Sequence, residues 1–163
     1  NKKIGGQFTK TQKRTSKSLM VCYIETSIIL SLLLEDEFFD EAVKIWNSPN
    51  EKVTSILTGI ESLIVIRRYY KANSKKLPSK WLSVQEKKIK EMLSECNLLN
   101  IGEDVQKIIE LKREIADCRS LDAIHLATAI YFKNQLEVSK ISLYSFDKRV
   151  TSVTEKFGFP VSW

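Results

Sequence analysis

Short runs of β-favouring apolar residues alternate along this chain with longer segments whose apolar residues recur at helical spacing, and this alternation limits the possible folds more than any other feature. Parallel neighbouring strands need a crossover long enough to hold a helix, so repeated strand–helix units imply a mainly parallel sheet covered on both faces. The first run, residues 19–24, leads into Glu25-Thr26-Ser27, whose polar groups suit a helix start. Residues 28–34 read as a buried helix and 37–47 as an amphipathic one ending before Pro49. A strand is expected at 52–55, and a helix over 56–72 carries Glu61 on its early turns and Arg67, Arg68 and Lys71 late, as the helix dipole favours. After a break at residues 73–78 come a helix over 80–96, a short strand at 98–101 and a helix over 103–116. Residues 120–130 predict a buried helix capped by Ser120, with Asp122 in its first turn. A strand over 140–146 places Asp147 just past its end, and a helix over 148–157 is closed by Gly158 before a last short strand. The expected fold is α/β, with a mainly parallel central sheet of four or five strands flanked by helices.

At 163 residues the chain fits one domain. No apolar run approaches the roughly 20 residues of a membrane span. The net charge of +6 suggests a polyanionic partner, but residues 1–18 hold Lys2, Lys3, Lys10, Lys13, Arg14 and Lys17 with no acid, and the remaining 20 bases are matched by 20 acids. Net charge is therefore weak evidence for nucleic-acid binding. The reading is a disordered basic leader, or a non-native remnant, over 1–18 and a folded domain over 19–163. Cys22, Cys96 and Cys118 are odd in number, far apart and without CxxC spacing, which argues against a disulfide framework or a zinc site and fits a reducing cytoplasm.

The acids carry the chemistry. In open α/β sheets, sites form beyond the carboxyl ends of the strands, where Glu25 and Asp147 are expected. Glu61 and Asp122 stand near the starts of apolar helices, where a carboxylate needs compensation. A hard divalent cation would compensate all four, and its chemistry suits phosphodiester hydrolysis. Each acid also has a plainer role open to it: Glu25 and Asp122 as helix caps, Glu61 on a solvated face, Asp147 in a turn. Spacing alone leaves these alternatives standing.

The residues so assembled resemble the PIN domain, and especially the VapC-type ribonuclease toxins of toxin–antitoxin modules. The resemblance lies in Tyr23-Ile24-Glu25-Thr26-Ser27, Ile60-Glu61-Ser62-Leu63, Leu121-Asp122-Ala123-Ile124-His125-Leu126-Ala127-Thr128-Ala129, and Ser145-Phe146-Asp147-Lys148-Arg149 followed by Gly158-Phe159. It spans roughly residues 20–163; the third segment is the most specific and the second the least. It implies a three-layer PIN-like fold with an acidic pocket binding Mg²⁺ or Mn²⁺, and RNA cleavage. On this resemblance Glu25, Glu61, Asp122 and Asp147 are catalytic; Glu25, Asp122 and Asp147 hold the metal, directly or through water. Ser27 is a polar helper, and Arg68 is a candidate contact for phosphate or an antitoxin carboxylate. The implied partners are an RNA substrate, a cognate antitoxin and a second copy of the chain in a homodimer, all in the cytoplasm and away from membranes.

One departure stands out. The family usually has Asp where this chain has Glu25, so the alternative is a weak or inactive PIN-like module that binds RNA or protein. A phosphoacceptor receiver and a haloacid-type phosphatase fit less well, because no acidic pair or DxD follows the first strand. His125, one turn after Asp122, is read as a packing or surface residue. Trp46, Trp81, Tyr69 and Tyr70 are read as packing or dimer residues.

Overall fold

Each residue of the first strand, β1 (Val21–Ile24), is buried, and its side chains divide between two cores. Val21 and Tyr23 enter one hydrophobic cluster, Cys22 and Ile24 the other, following the period-two alternation of a strand covered on both faces. The computed structural model describes residues 20–136 and 141–160. Within them the chain runs β1, α1 (Thr26–Leu34), α2 (Phe39–Trp46), β2 (Glu51–Ser55), α3 (Ile56–Asn73), α4 (Trp81–Ser94), β3 (Asn97–Leu99), α5 (Glu103–Leu111), α6 (Ser120–Gln135), β4 (Ile141–Tyr144) and α7 (Lys148–Thr154). The described strands form one four-stranded sheet in the order β3-β2-β1-β4, every pair parallel. Residues of α5, α6 and α7 pack in the core that holds Val21 and Tyr23; residues of α1, α2, α3 and α4 pack in the one that holds Cys22 and Ile24. The result is the expected three-layer α/β arrangement.

The departures from expectation are local. The helix expected over residues 103–116 stops at Leu111, Lys112 leaves helical geometry (φ −114°, ψ 87°), and Arg113–Asp117 forms a separate 3₁₀ turn. At about 100° per residue, a continuous helix would turn Ile115 roughly 80° away from Val105. The break lets both be buried, each only 1% exposed. Conversely α6 continues past Ile130 to Gln135, because Tyr131 and Phe132 also pack against the core. The expected Ser120 cap is not formed: α6 begins at Ser120 itself, with Arg119 in the cap position and no side-chain hydrogen bond there. Beyond α7 a 3₁₀ turn, Glu155–Phe157, ends at Gly158 in the left-handed region (φ 73°), which a glycine adopts without steric penalty. Lys133 Nζ donates to the Phe157 and Gly158 carbonyls at 2.8 and 2.7 Å, tying that end to α6. Residues 1–18, and 161–163 of the expected last strand, lie outside the described residues.

Candidate active site

The strand order creates the site. From β1 the chain moves to β2 and β3 on one side and returns at β4 on the other, so β1 and β4 flank the point where connections diverge, the usual cleft position in an open parallel sheet. Glu25 N–H donates to the Tyr144 carbonyl at 3.0 Å, which extends the β1–β4 pairing to the residue that carries the first acid. Glu25 also caps α1 in extended geometry (φ −83°, ψ 159°). Its Oε2 accepts from Ser27 N–H at 3.0 Å, Ser27 Oγ at 2.5 Å and Ser145 Oγ at 2.9 Å. Three donors, with the positive end of the α1 dipole, offset the burial of a carboxylate only 5% exposed.

The same hydroxyls bind the two strand ends together. Ser27 Oγ accepts from Phe146 N–H at 2.8 Å, and Ser145 Oγ accepts from Asp147 N–H at 3.1 Å. Asp147 caps α7, its Oδ1 accepting from Arg149 N–H at 2.7 Å. The cap role foreseen for Glu25 is thus filled at the cleft itself; Asp147, expected in a turn, caps a helix as well, whereas Asp122, the other expected cap, lies inside the first turn of α6.

A cleft of about 460 Å³ is lined by Glu25, Glu61, Asp122 and Asp147, with Ser27 and Arg68 also on its wall. All the residues singled out from the sequence therefore face one space. Asp122 Oδ2 is buried with no hydrogen-bond partner among the described residues. Burial, followed by repulsion from Asp147, Glu25 and Glu61, raises the Asp122 carboxyl above the usual range. Glu61 behaves oppositely: burial pushes it up, but hydrogen bonds from His125 and Thr26 outweigh that and leave it below its ordinary value. Arg67 is drawn away, with Nε 2.7 Å from Glu86 Oε1, whereas Arg68 stays at the cleft.

The expectation for His125 needs correcting in one respect. It is fully buried, as a packing residue would be, but both ring nitrogens are engaged at the site. Nδ1 lies 2.9 Å from the Tyr23 hydroxyl, while Nε2 lies 3.1 Å from Glu61 Oε2 and 3.0 Å from Thr26 Oγ1. Thr26 Oγ1 in turn donates to Glu61 Oε2. Among the described residues, Glu25, Glu61 and His125 bring potential ligand atoms within 4.8 Å of one another; Asp122 and Asp147 stand outside that set but line the same cleft. Sequence reasoning did not assign His125, Thr26 or Ser145 these contacts, nor Arg119, which sits before α6 on the cleft wall. The only signal was proximity: each lies within three residues of an acid already selected.

A carboxylate-rich cleft with an unpartnered buried oxygen is a donor set suited to a hard, oxygen-seeking cation. The sequence matches the PIN domain family over residues 22–156. No curated protein sequence matches the chain. Among solved structures, a chain of a toxin–antitoxin complex from Klebsiella pneumoniae is similar at 21% identity and a TM-score of 0.53, covering 77% of this chain and 86% of that one. That likeness is one of fold.

Proposed function

This chain belongs to the PIN domain family, and from that premise we propose that it is a metal-dependent endoribonuclease, the VapC-type toxin of a toxin–antitoxin module. The observation that carries the reading is Asp122 Oδ2, buried and unpartnered in a cleft lined by three further acids. Uncompensated negative charge in that position is costly, and it is accounted for if a cation completes the site. Glu25, Asp122 and Asp147 are the residues that would hold Mg²⁺ or Mn²⁺. When bound, the ion supplies Lewis-acid activation of water and neutralises charge building on the phosphate.

The chain's own residues do the rest. Glu61, kept anionic by its hydrogen bonds, orients the attacking water and accepts its proton. Ser27 and Ser145 fix the Glu25 carboxylate, and Arg68 and Arg119 offer guanidinium groups to the phosphodiester. The Glu25 departure does not count against activity in this reading: its longer side chain is held by three donors and still lines the cleft.

The nuclease domain is assigned to residues 19–163. A cognate antitoxin and a second copy of the chain belong to the same proposal. Ile60 and Ile64, one turn apart on α3, and Leu121 on α6 are 52%, 42% and 47% exposed, and give such partners apolar surface to cover. Among the described residues no helix is long and apolar enough to cross a membrane, and the proposed location is the cytoplasm. The test is incubation of antitoxin-free protein with total RNA in Mg²⁺, Mn²⁺ or EDTA, beside Asp122→Asn. Cleavage by the wild type in metal alone is expected; equal cutting by the variant would reject the role of Asp122.

A further inference from the structure

We infer that His125 is a positioning residue for Glu61: a core-anchored imidazole that fixes the orientation of this carboxylate in the cleft. The inference rests on the nuclease reading above and assigns His125 a place in it. Glutamate is long and has several rotatable bonds, so one on the second turn of a helix does not by itself hold a single orientation. In this chain both cleft glutamates carry dedicated clamps. Glu25 has its two serines; Glu61 has Thr26 and His125, and among the described residues its hydrogen bonds all fall on Oε2. Oε1 is thereby left to the cleft.

The proton positions follow from the neighbours. Thr26 Oγ1 spends its proton on Glu61, so toward His125 it can only accept. The Glu61 carboxylate also accepts, so Nε2, facing both, must carry a proton. At the other side Nδ1 is met by the Tyr23 hydroxyl at 2.9 Å. Tyr23 is fully buried in β1, and a phenol, with an ordinary pKa of about 10, carries its proton at neutral pH. In the neutral imidazole, with its one proton on Nε2, Nδ1 is an acceptor and the Tyr23 hydroxyl donates to it, so the relay runs from the sheet through Tyr23 and His125 to Glu61.

The placement is economical in the helix as well. Asp122 and His125 stand three residues apart on α6, hence on nearly the same face. That one helix supplies an acid and, a turn later, the group that holds the acid of α3. His125 itself is a poor metal ligand in this state, because Nε2 carries its proton and a ligating nitrogen must present a lone pair. Its nearness to Glu25 and Glu61 is that of a support.

The test compares His125→Leu, His125→Gln, Glu61→Ala and the Glu61→Ala/His125→Leu double variant in steady-state RNA cleavage with Mn²⁺, each first checked for native circular dichroism. Misplacing a catalytic group by about 1 Å costs on the order of 100-fold. His125→Leu is expected to lose that factor in kcat with KM little changed. His125→Gln, whose amide nitrogen reaches the Nε2 position, should recover most of it, and His125→Leu should add nothing in the Glu61→Ala background. Wild-type kcat in His125→Leu, an equal loss in His125→Gln, or multiplying losses in the double variant would overturn the inference. A wild type that cuts no RNA would refute the nuclease reading alone. Imidazole ¹⁵N NMR then decides: an exchange-protected Nε2–H that shifts in Glu61→Ala supports the clamp, and an unprotonated Nε2 overturns it. The same spectrum serves if His125→Leu does not fold.

Discussion

Replacing Asp122 by Asn should make the metal-free protein more stable while abolishing its response to metal. The carboxylate has one oxygen buried without a partner and faces the charges of Asp147, Glu25 and Glu61. A buried polar group left unpaired costs about 1–3 kcal/mol, and more when charged; an isosteric neutral amide removes the charged part of that cost. In EDTA at pH 7 the variant is expected to be about 1–3 kcal/mol more stable, a rise in Tm of roughly 2–4 °C for each kcal/mol in a domain of this size. The pH dependence has a definite sign. Because the folded state raises the Asp122 pKa, the protonated form is the favoured one; its contribution to stability is complete below the unfolded value of about 3.9 and is lost as pH rises through the folded pKa. The advantage of Asp122→Asn should accordingly shrink on acidification. Mn²⁺ should reverse the order: at 1,000 times its dissociation constant a ligand stabilises by about 4.1 kcal/mol, more than the advantage of the variant, available to the wild type and largely lost in the variant. Urea titrations followed by circular dichroism, in EDTA and in Mn²⁺, measure all of this. A variant less stable than wild type in EDTA, or one gaining as much from Mn²⁺, would refute the reasoning.

Ser27→Ala removes the hydroxyl that donates to Glu25 Oε2 and accepts from Phe146 N–H, and should lower urea stability by about 1–3 kcal/mol; a change below about 0.5 kcal/mol would show that the network is not what joins the strand ends. Leu126→Ala, at a fully buried core position, should cost about 2–5 kcal/mol by the same titration. Burial raises the Cys22 thiol to about 11 and that of Cys96 to about 12, so at pH 8 an aromatic disulfide reagent should label these two only upon unfolding, with Cys118 reacting first; rapid labelling of Cys22 in the native protein would contradict the packing of β1.

Much of this architecture is legible in the sequence because the strands are buried on both faces. Val21 to Ile24 must be continuously apolar to sit mid-sheet, and that run followed by polar Glu25-Thr26-Ser27 reads directly as a strand end entering a helix. Gly158 likewise announces its left-handed turn. Burial that depends on distant partners is less visible. The break at Lys112 arises because Ile115 must reach a core built from other elements, and no local pattern encodes that rotation. At the cleft, the acids stand out as charges in apolar settings, whereas the groups that hold them do not. Ser145, Thr26 and His125 look like ordinary strand or helix residues until folding brings Ser145 against Glu25, 120 positions away, and His125 against Glu61, 64 away. The hydrogen bonds that decide their roles are long-range, so composition and periodicity carry no trace of them. Tyr69, Tyr70 and Trp81 do form the aromatic packing expected of them, with ring centroids 5.5 and 6.2 Å from Trp81.

The most direct test is crystallographic: crystals soaked in Mn²⁺, with diffraction recorded at the manganese absorption edge. The account predicts an anomalous peak in the cleft bounded by Glu25, Asp122 and Asp147, with carboxylate oxygens coordinating it directly at about 2.1 Å or through ordered water. Full Mn²⁺ exposure with no peak in that cleft, or with the ion held elsewhere, would contradict it.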